Sequence, residues 1–204
     1  MIISSCLRFG ILAILASHAL LPNSECHGQE PRIAGIGPTV SASIGYAYLN
    51  SEIPCAGRIS QNGVASGVTV DFTRRFGIKT ETSYTRTYGA FGVNHHSDVL
   101  AYLGGPDLYP VRRQRFGIYA QGLIGAARMT GVIPEGNGAY LQARVHRLAW
   151  SLGGGEETKL SRSTVLRIGA DYLRGSYFSP DRVLRGQGNI RVITSLVYTF
   201  GKYR

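Results

Sequence analysis

The sequence predicts an all-β fold, an eight-stranded antiparallel up-and-down barrel, and three observations indicate it. Eight segments alternate apolar with polar or small residues, the period of two that side chains follow along a strand. Short turns and longer loops alternate between these segments, as in a meander closed into a barrel. The segment Asn189–Phe200 is the clearest, because one face is apolar and ends in Tyr198 and Phe200, while the other carries Arg191.

The alternating segments place the elements in order along the chain. Strands are predicted at Val40–Leu49, Val64–Phe72, Ile78–Thr85, Val99–Tyr109, Tyr119–Arg128, Leu148–Gly155, Leu166–Tyr172 and Asn189–Phe200. Short turns are predicted at residues 73–77, 112–118 and 159–163, and loops at 50–62, 88–98, 129–144 and 174–188. In the fourth strand, Gly104-Gly105-Pro106 is expected to interrupt the pairing, since proline tolerates only an edge or a bulge. The facing of the fourth and fifth strands stays open.

A four-residue motif recurs at the first two turns. Arg75-Phe76-Gly77-Ile78 returns as Arg115-Phe116-Gly117-Ile118. A recurrence at this spacing is what repeated hairpin pairs leave in a sequence.

The first residues of the chain resemble an export leader. Arg8 provides a short positive region, and the apolar run Phe9–Leu21 suits a secretory signal and is too short for a spanning helix. We therefore predict a signal peptide at residues 1–28, a Gly/Pro linker at 29–38 and the barrel at 39–204. Cys55 is then a lone thiol, interpreted as an inert loop cysteine.

The alternation alone does not show whether the apolar faces point outward into lipid or inward into a ligand cavity. After residue 30, no stretch approaches the roughly 18 apolar residues of a transmembrane helix, but barrel strands need only about ten alternating residues. Aromatic strand ends and the asymmetry of short turns and long loops favour a barrel in the outer membrane, with short periplasmic turns. The expected aromatic girdle comprises Tyr46, Tyr48, Phe72, Tyr84, Trp150, Tyr172, Tyr198 and Phe200. In the alternative, a soluble periplasmic lipocalin-like binder, apolar residues would line a ligand cavity.

The opposite strand faces collect charged residues. An eight-stranded barrel is just wide enough for side chains to fill, and a charge left unpaired inside would cost several kcal/mol. We therefore predict a lumen plugged by paired charges, with a narrow proton or ion path as the alternative. The predicted set comprises Asp71, Lys79, Glu81, Glu157, Arg167, Asp171 and Arg191.

Three stretches carry a resemblance to a known group of proteins, namely Phe116–Ala127, Ala149–Tyr172 and Arg191–Phe200. In pattern the chain resembles the small eight-stranded outer-membrane barrels, the group of the OmpA transmembrane domain and the OmpX/Ail type, and outer membrane protein beta-barrel domain proteins. The resemblance implies an outer-membrane location and assembly of the final strand by the barrel-assembly machinery, but no defined activity.

Catalytic and metal-binding motifs are weak. His95-His96-Ser97 has a base near a nucleophile, as in barrel enzymes that deacylate lipid A, but a solvated loop histidine pair explains it better. A histidine pair with no third ligand nearby is also a weak metal signal. We predict a non-enzymatic protein without a cofactor; a barrel enzyme acting on lipids is the alternative.

The net charge of +10 indicates anionic partners. An exported chain rarely meets nucleic acid, so the phosphates of outer-membrane lipids and lipopolysaccharide are the expected partners of what we predict is a monomer. Ordinary solubility is the competing explanation. The arginines on or beside the loops are Arg58, Arg144, Arg147, Arg182 and Arg185.

Overall fold

The protein folds as a closed barrel in the computed structural model, which describes residues 38–53, 57–89, 96–134, 140–175 and 187–200. Its strands are β1 (Thr39–Ile53), β2 (Gly57–Asp71), β3 (Phe76–Tyr88), β4 (His96–Arg112), β5 (Phe116–Pro134), β6 (Tyr140–Lys159), β7 (Thr164–Gly175) and β8 (Gln187–Phe200). Each strand pairs antiparallel with its neighbours in sequence, and β1 also pairs with β8. The predicted fold class is confirmed. These ranges contain no helix of the length and apolarity needed to cross a membrane.

Burial alternates along the strands with the two faces reversed relative to a soluble protein. Ile44 and Leu148 are each 69% exposed on the outer face, whereas Arg191 is 1% exposed in the lumen. Side chains on successive residues point to opposite faces, so the period of two in the sequence becomes an apolar outside and a mainly small or polar inside.

The predicted loops were too long, because the strands continue through their polar ends. Ser51 pairs with Ile59 and Glu52 with Arg58, inside the predicted loop 50–62. Likewise, β5 extends to Pro134 and pairs with β6 as far as Tyr140. Backbone hydrogen bonds hold these ends, so the ladder persists where hydrophobic alternation no longer marks it. Residues 88, 96–98, 174, 175, 187 and 188 are strand residues too, against the prediction of loops.

The predicted interruption of the fourth strand holds on one side only. Gly105 and Pro106 pair with Lys79 and Ile78 of β3 within a continuous β4, whereas the pairing with β5 passes from Gly104 to Asp107 without them. A register shift follows between Leu108 and Val111. There β4 carries one more residue than β5, which is the property of a β-bulge. The bulge contains Pro110 and shifts the alternation by one residue, so that Arg112, opposite Gly117, faces the lumen after Asp107 and Tyr109.

Each short turn is tied to the strand beyond it. Backbone N–H groups of Tyr109, Lys159 and Thr199 donate to the carbonyls of Arg75, Arg115 and Ser163, at 2.9 Å in each case. Two of the turns are also closed by a hydroxyl: Thr73 Oγ1 accepts from the N–H of Phe76 at 3.0 Å, and Ser161 Oγ from that of Thr164 at 3.1 Å. Each of the three turns at this end of the barrel is therefore held by a hydrogen bond from the strand beyond it.

Glycine allows β6 and β7 to approach closely in the lumen. A Cβ on Gly153 would collide with the side chain of Asp171 and the carbonyl of Ala170. The strands can take this spacing only where one partner has no side chain.

Several predictions concern residues outside the described ranges. These are the signal peptide at 1–28, the linker apart from Pro38, Cys55, His95, Arg182 and Arg185.

Candidate functional site: the lumen and the two ends of the barrel

All seven charged residues predicted for the lumen lie on inward-facing strand positions and are buried. Asp107, Arg112 and Gln121 join them, and sequence reasoning missed these three. The complete set, called here the lumenal network, comprises Asp71, Lys79, Glu81, Asp107, Arg112, Gln121, Glu157, Arg167, Asp171 and Arg191. It contains four cations and five carboxylates, so the charges nearly balance.

Arg191 on β8 is the first centre of the lumenal network. It contacts Asp171 through two bonds, from Nε to Oδ1 at 3.0 Å and from a terminal nitrogen to Oδ2 at 2.6 Å. The same guanidinium lies 2.6 Å from Glu81 and donates to Ser83 Oγ at 2.8 Å. Lys79 donates to Glu81 from the other side. A planar guanidinium suits this task, because its donors fan out to several carboxylates at once.

Arg167 on β7 is the second centre. One terminal nitrogen lies 2.8 Å from Asp107, and the other lies 3.3 Å from Glu157 and donates to Tyr109 Oη at 3.4 Å. Its guanidinium carbon sits 3.5 Å from the centre of the Tyr119 ring, a cation–π contact in a desolvated setting.

Gln121 on β5 joins the two centres. Its Oε1 accepts from Lys79 at 3.0 Å and from Arg167 at 3.4 Å, while its Nε2 donates to Asp171 at 3.4 Å. An amide can do this because it offers an acceptor and donors on one side chain. The space left between these groups has room for about one water molecule.

A third ion pair lies nearest the short turns. Arg112 donates to Asp71 at 2.8 Å and lies 4.2 Å from the centre of the Tyr109 ring. The side chain of Arg112 is partly exposed, so this pair lies where the lumen meets solvent.

Beyond the network, toward the longer connections, the lumen holds a cluster of apolar side chains together with the buried polar side chains of Gln61, Thr85 and Asn189. Leu49, Val99 and Leu173 lie near those ends of their strands and are at most 2% exposed. The cluster, called here the apolar layer, comprises Leu49, Val99, Ala101, Leu103, Leu123, Ala127, Met129, Ala149 and Leu173. The prediction of a lumen filled by charges therefore described only part of it.

All eight residues predicted for the aromatic girdle lie on outward positions. Phe72, Tyr198 and Phe200 lie at the end with the short turns, and Tyr48, Tyr84 and Tyr172 lie nearer the opposite end. Tyr46 and Trp150 lie at the middle of their strands. Tyr198 packs on Phe200 with ring centres 5.1 Å apart, and Trp150 on Tyr172 at 5.9 Å. Between the two rows the outer surface carries exposed aliphatic side chains such as Val68, Ile78, Ile118, Ile124 and Leu196.

Three of the five predicted rim arginines are described, and all three are exposed. Arg58 donates to Asn50 Oδ1 at 2.6 Å, while Arg144 and Arg147 lie on β6 near the longer connections. The structure brings Arg86, Arg128 and Arg174 to the same end on outward positions. Arg86 stacks on Tyr88 at 4.8 Å.

The two described residues of the His-Ser motif lie on opposite faces of β4. His96 is exposed on the outer face, and Ser97 is 2% exposed in the lumen. His96 instead lies 3.8 Å from Asp98. A different histidine, His146, contacts the hydroxyl of Tyr102 on the outer surface.

Two of the three residues that sequence reasoning missed, Asp107 and Gln121, share a cause. Asp107 follows Gly104-Gly105-Pro106, where the facing of the strand was left open, and Gln121 lies in a segment of alanines and glycines with no clear apolar face. The inward facing of Gly117 and Asp71 places Asp107 and Gln121 inside. Gln121 follows Gly117 by four residues on the same strand, and Asp107 lies level with Asp71 across the paired strands.

No protein family and no curated protein matches the sequence of the chain. Solved structures do match its fold. One is Ail, the attachment invasion locus protein of Yersinia pestis, in complex with the heparin analogue sucrose octasulfate: 16% identity, TM-score 0.57, covering 81% of this chain and all of that one. Another is Neisserial surface protein A, at 8% identity and TM-score 0.63, with the same coverage. The chain thus has the fold of the small eight-stranded outer-membrane barrels.

Proposed function

We propose that this protein is a non-enzymatic barrel of the bacterial outer membrane that acts in surface interactions, with a lumen closed by side chains. One observation carries the proposal: large apolar side chains cover the outside of the barrel between two rows of aromatics, while charges fill the inside. This arrangement is stable only where hydrocarbon surrounds the barrel. The likeness in fold to Ail and to Neisserial surface protein A supports it.

The buried charges argue against a lipocalin-like binder. A lipocalin-like cavity would be open and lined by apolar side chains, whereas Arg167 and Arg191 here hold carboxylates together in the lumen. The apolar layer occupies much of the lumen beyond the lumenal network.

The surface partner we propose is the phosphate of lipopolysaccharide, bound by the rim arginines. Arg58, Arg144 and Arg147 are exposed at the end with the longer connections, which faces outward in such barrels. Guanidinium groups bind phosphate through paired hydrogen bonds. We further propose that the barrel-assembly machinery inserts the protein and that it is a monomer.

The first experiment is electrophoresis of outer-membrane fractions, boiled and unboiled. We expect a band in the membrane fraction whose mobility changes on boiling, because a closed barrel resists detergent until it is heated. Recovery of the whole protein from the periplasmic fraction would contradict the proposal.

A substitution on the outer face tests the solvent directly. Ile44 is 69% exposed near the middle of β1, so Ile44→Arg would be nearly neutral in water but should lower the free energy of unfolding from bilayers by about 2–4 kcal/mol. Tyr88→Arg is the control, since Tyr88 is 76% exposed at the last residue of β3 and should tolerate the charge. Equal effects of the two substitutions in urea titrations would argue against a lipid-facing surface.

A further inference from the structure

The three short turns carry a group of cations that the proposed function does not use. Residues 72–75, 113–115 and 159–163 contain no aspartate or glutamate. The cations, called here the basic turns, are Arg74, Arg75, Arg113, Arg115, Lys159 and Arg162. All six are exposed, and none of them forms an ion pair with another residue in the described ranges.

The basic turns lie directly beside the lower row of aromatics. The repeated motif has this arrangement twice: Arg75 ends the first turn and Phe76 opens β3, and Arg115 ends the second turn and Phe116 opens β5. Phe72 stacks on Phe76 across the first turn, with ring centres 6.2 Å apart. In a membrane-spanning barrel, such aromatic rows lie at the boundary of hydrocarbon and headgroups.

The turns display these cations on a fixed frame. The carbonyls of Arg75 and Arg115 accept hydrogen bonds from Tyr109 and Lys159 of the strands beyond them. Each turn is therefore attached to the barrel on two sides, and its cations are held one residue from the aromatic boundary. The backbone that carries the cations therefore needs little ordering when an anion binds, which lowers the cost of binding.

From this geometry we propose that the basic turns bind the phosphates of anionic phospholipids in the leaflet that surrounds the short turns. The position at the headgroup level favours lipid over a soluble acidic partner, because the aromatics and the cations then engage the same molecule. This inference rests on the proposed membrane location and adds a second anion-binding surface, opposite the rim arginines.

The test measures which lipid surrounds the barrel at the end with the short turns. The chain has one tryptophan, Trp150, in the middle of β6, so Phe76→Trp in a Trp150→Phe background gives a single reporter beside the basic turns. The folded protein is placed in phosphatidylcholine vesicles containing brominated phosphatidylglycerol or brominated phosphatidylcholine. Quenching of the tryptophan by each lipid gives their relative binding constant.

We expect the tryptophan beside the basic turns to prefer phosphatidylglycerol about fivefold. This is the factor that corresponds to the attraction of one cation to an anionic membrane surface. The sixfold variant R74Q/R75Q/R113Q/R115Q/K159Q/R162Q should remove this preference. The matched control R58Q/R144Q/R147Q, at the other end, should leave it unchanged. A sixfold variant without the heat-dependent gel shift has not folded as a barrel. The double variant R113Q/R115Q then replaces it and should reduce the preference.

The other outcomes distinguish a failure of lipid binding at the basic turns from a failure of the membrane location. Equal quenching by the two lipids, or a preference that survives loss of the turn cations or is lost with the rim arginines, would overturn this inference and leave the membrane barrel intact. Binding of the wild type to insoluble peptidoglycan without any lipid preference would overturn it as well. Quenching by neither lipid would instead contradict the membrane location itself.

Discussion

At the scale of single residues, Arg191 shows how one side chain neutralises two buried carboxylates in this lumen. It is 1% exposed and holds the carboxylates of Asp171 and Glu81, both at 2.6 Å. A buried ion pair adds little stability compared with an apolar replacement of the whole set, but removing one member leaves charges without compensation.

Arg191→Met should therefore lower the free energy of unfolding by about 3–5 kcal/mol. The reason is that two carboxylates would remain buried against each other with only Lys79 nearby. Urea titration of the refolded protein in vesicles measures it. Arg162→Met, an exposed position in a short turn, is the control and should change stability by less than about 0.5 kcal/mol in phosphatidylcholine. An Arg191 variant as stable as the control would show that the network is hydrated and weakly coupled.

At the scale of elements, the spacing of β6 and β7 depends on a residue without a side chain. Gly153 faces Asp171, and the added methyl of Gly153→Ala would press on Asp171, a ligand of Arg191. We expect a loss of about 1–3 kcal/mol, the usual cost of overpacking.

Gly122→Ala is the matched control for this substitution. Gly122 lies on the outer face of β5, where a Cβ would be 3.8 Å from the nearest atom, a methyl of Leu152. The alanine there should be neutral or slightly stabilising, because its backbone is already extended and it adds apolar surface. Equal losses for the two alanine variants in chemical unfolding would mean that glycine acts only through backbone flexibility.

At the scale of the whole molecule, the lumen is divided into two layers with different chemistry. Ion pairs fill the part nearer the short turns, and the apolar layer fills much of the rest. An ion would have to break paired charges and then pass the apolar layer, where Gln61, Thr85 and Asn189 already form hydrogen bonds within the protein. Each step is costly in a low-dielectric interior.

The purified protein in a planar bilayer should therefore show no stepwise ionic conductance at moderate voltage. The paired substitutions Leu103→Ser and Leu123→Ser, which introduce hydroxyls into the apolar layer, should at most produce brief, small openings, because the lumenal network would still be in place. Regular conductance steps from the wild type would show that the lumen opens in the membrane and would support the ion-path alternative.

The sequence was sufficient for the number of strands, their order and the side on which most charges lie. Alternation is informative where one face is polar, as in β8 with Arg191. It failed in β4, where inward Val99 and Leu103 and outward Leu100 and Tyr102 are all apolar, so no face could be distinguished. The apolar layer was missed for the same physical reason, since a periodic signal requires two environments that differ.

Strand ends were also beyond the reach of the pattern. The segments flanking residues 54–56 are polar on both faces and were predicted as loop, although backbone pairing continues through them. The ion-pair partners were a further limit, because contacts such as that between Arg167 and Asp107 depend on the register of strands distant in sequence.

The pairing of the first strand with the last has a consequence for how the chain could be rewired. Val40 lies opposite Phe200, so both termini of the barrel emerge on the side of the three short turns. A fourth linker of similar length could join β8 to β1, and the circular permutant could then be opened at another turn, for example between Arg113 and Gln114. Because every strand pairs with two neighbours, the barrel does not depend on which strand comes first in the chain. Such permutants should therefore fold to the same barrel.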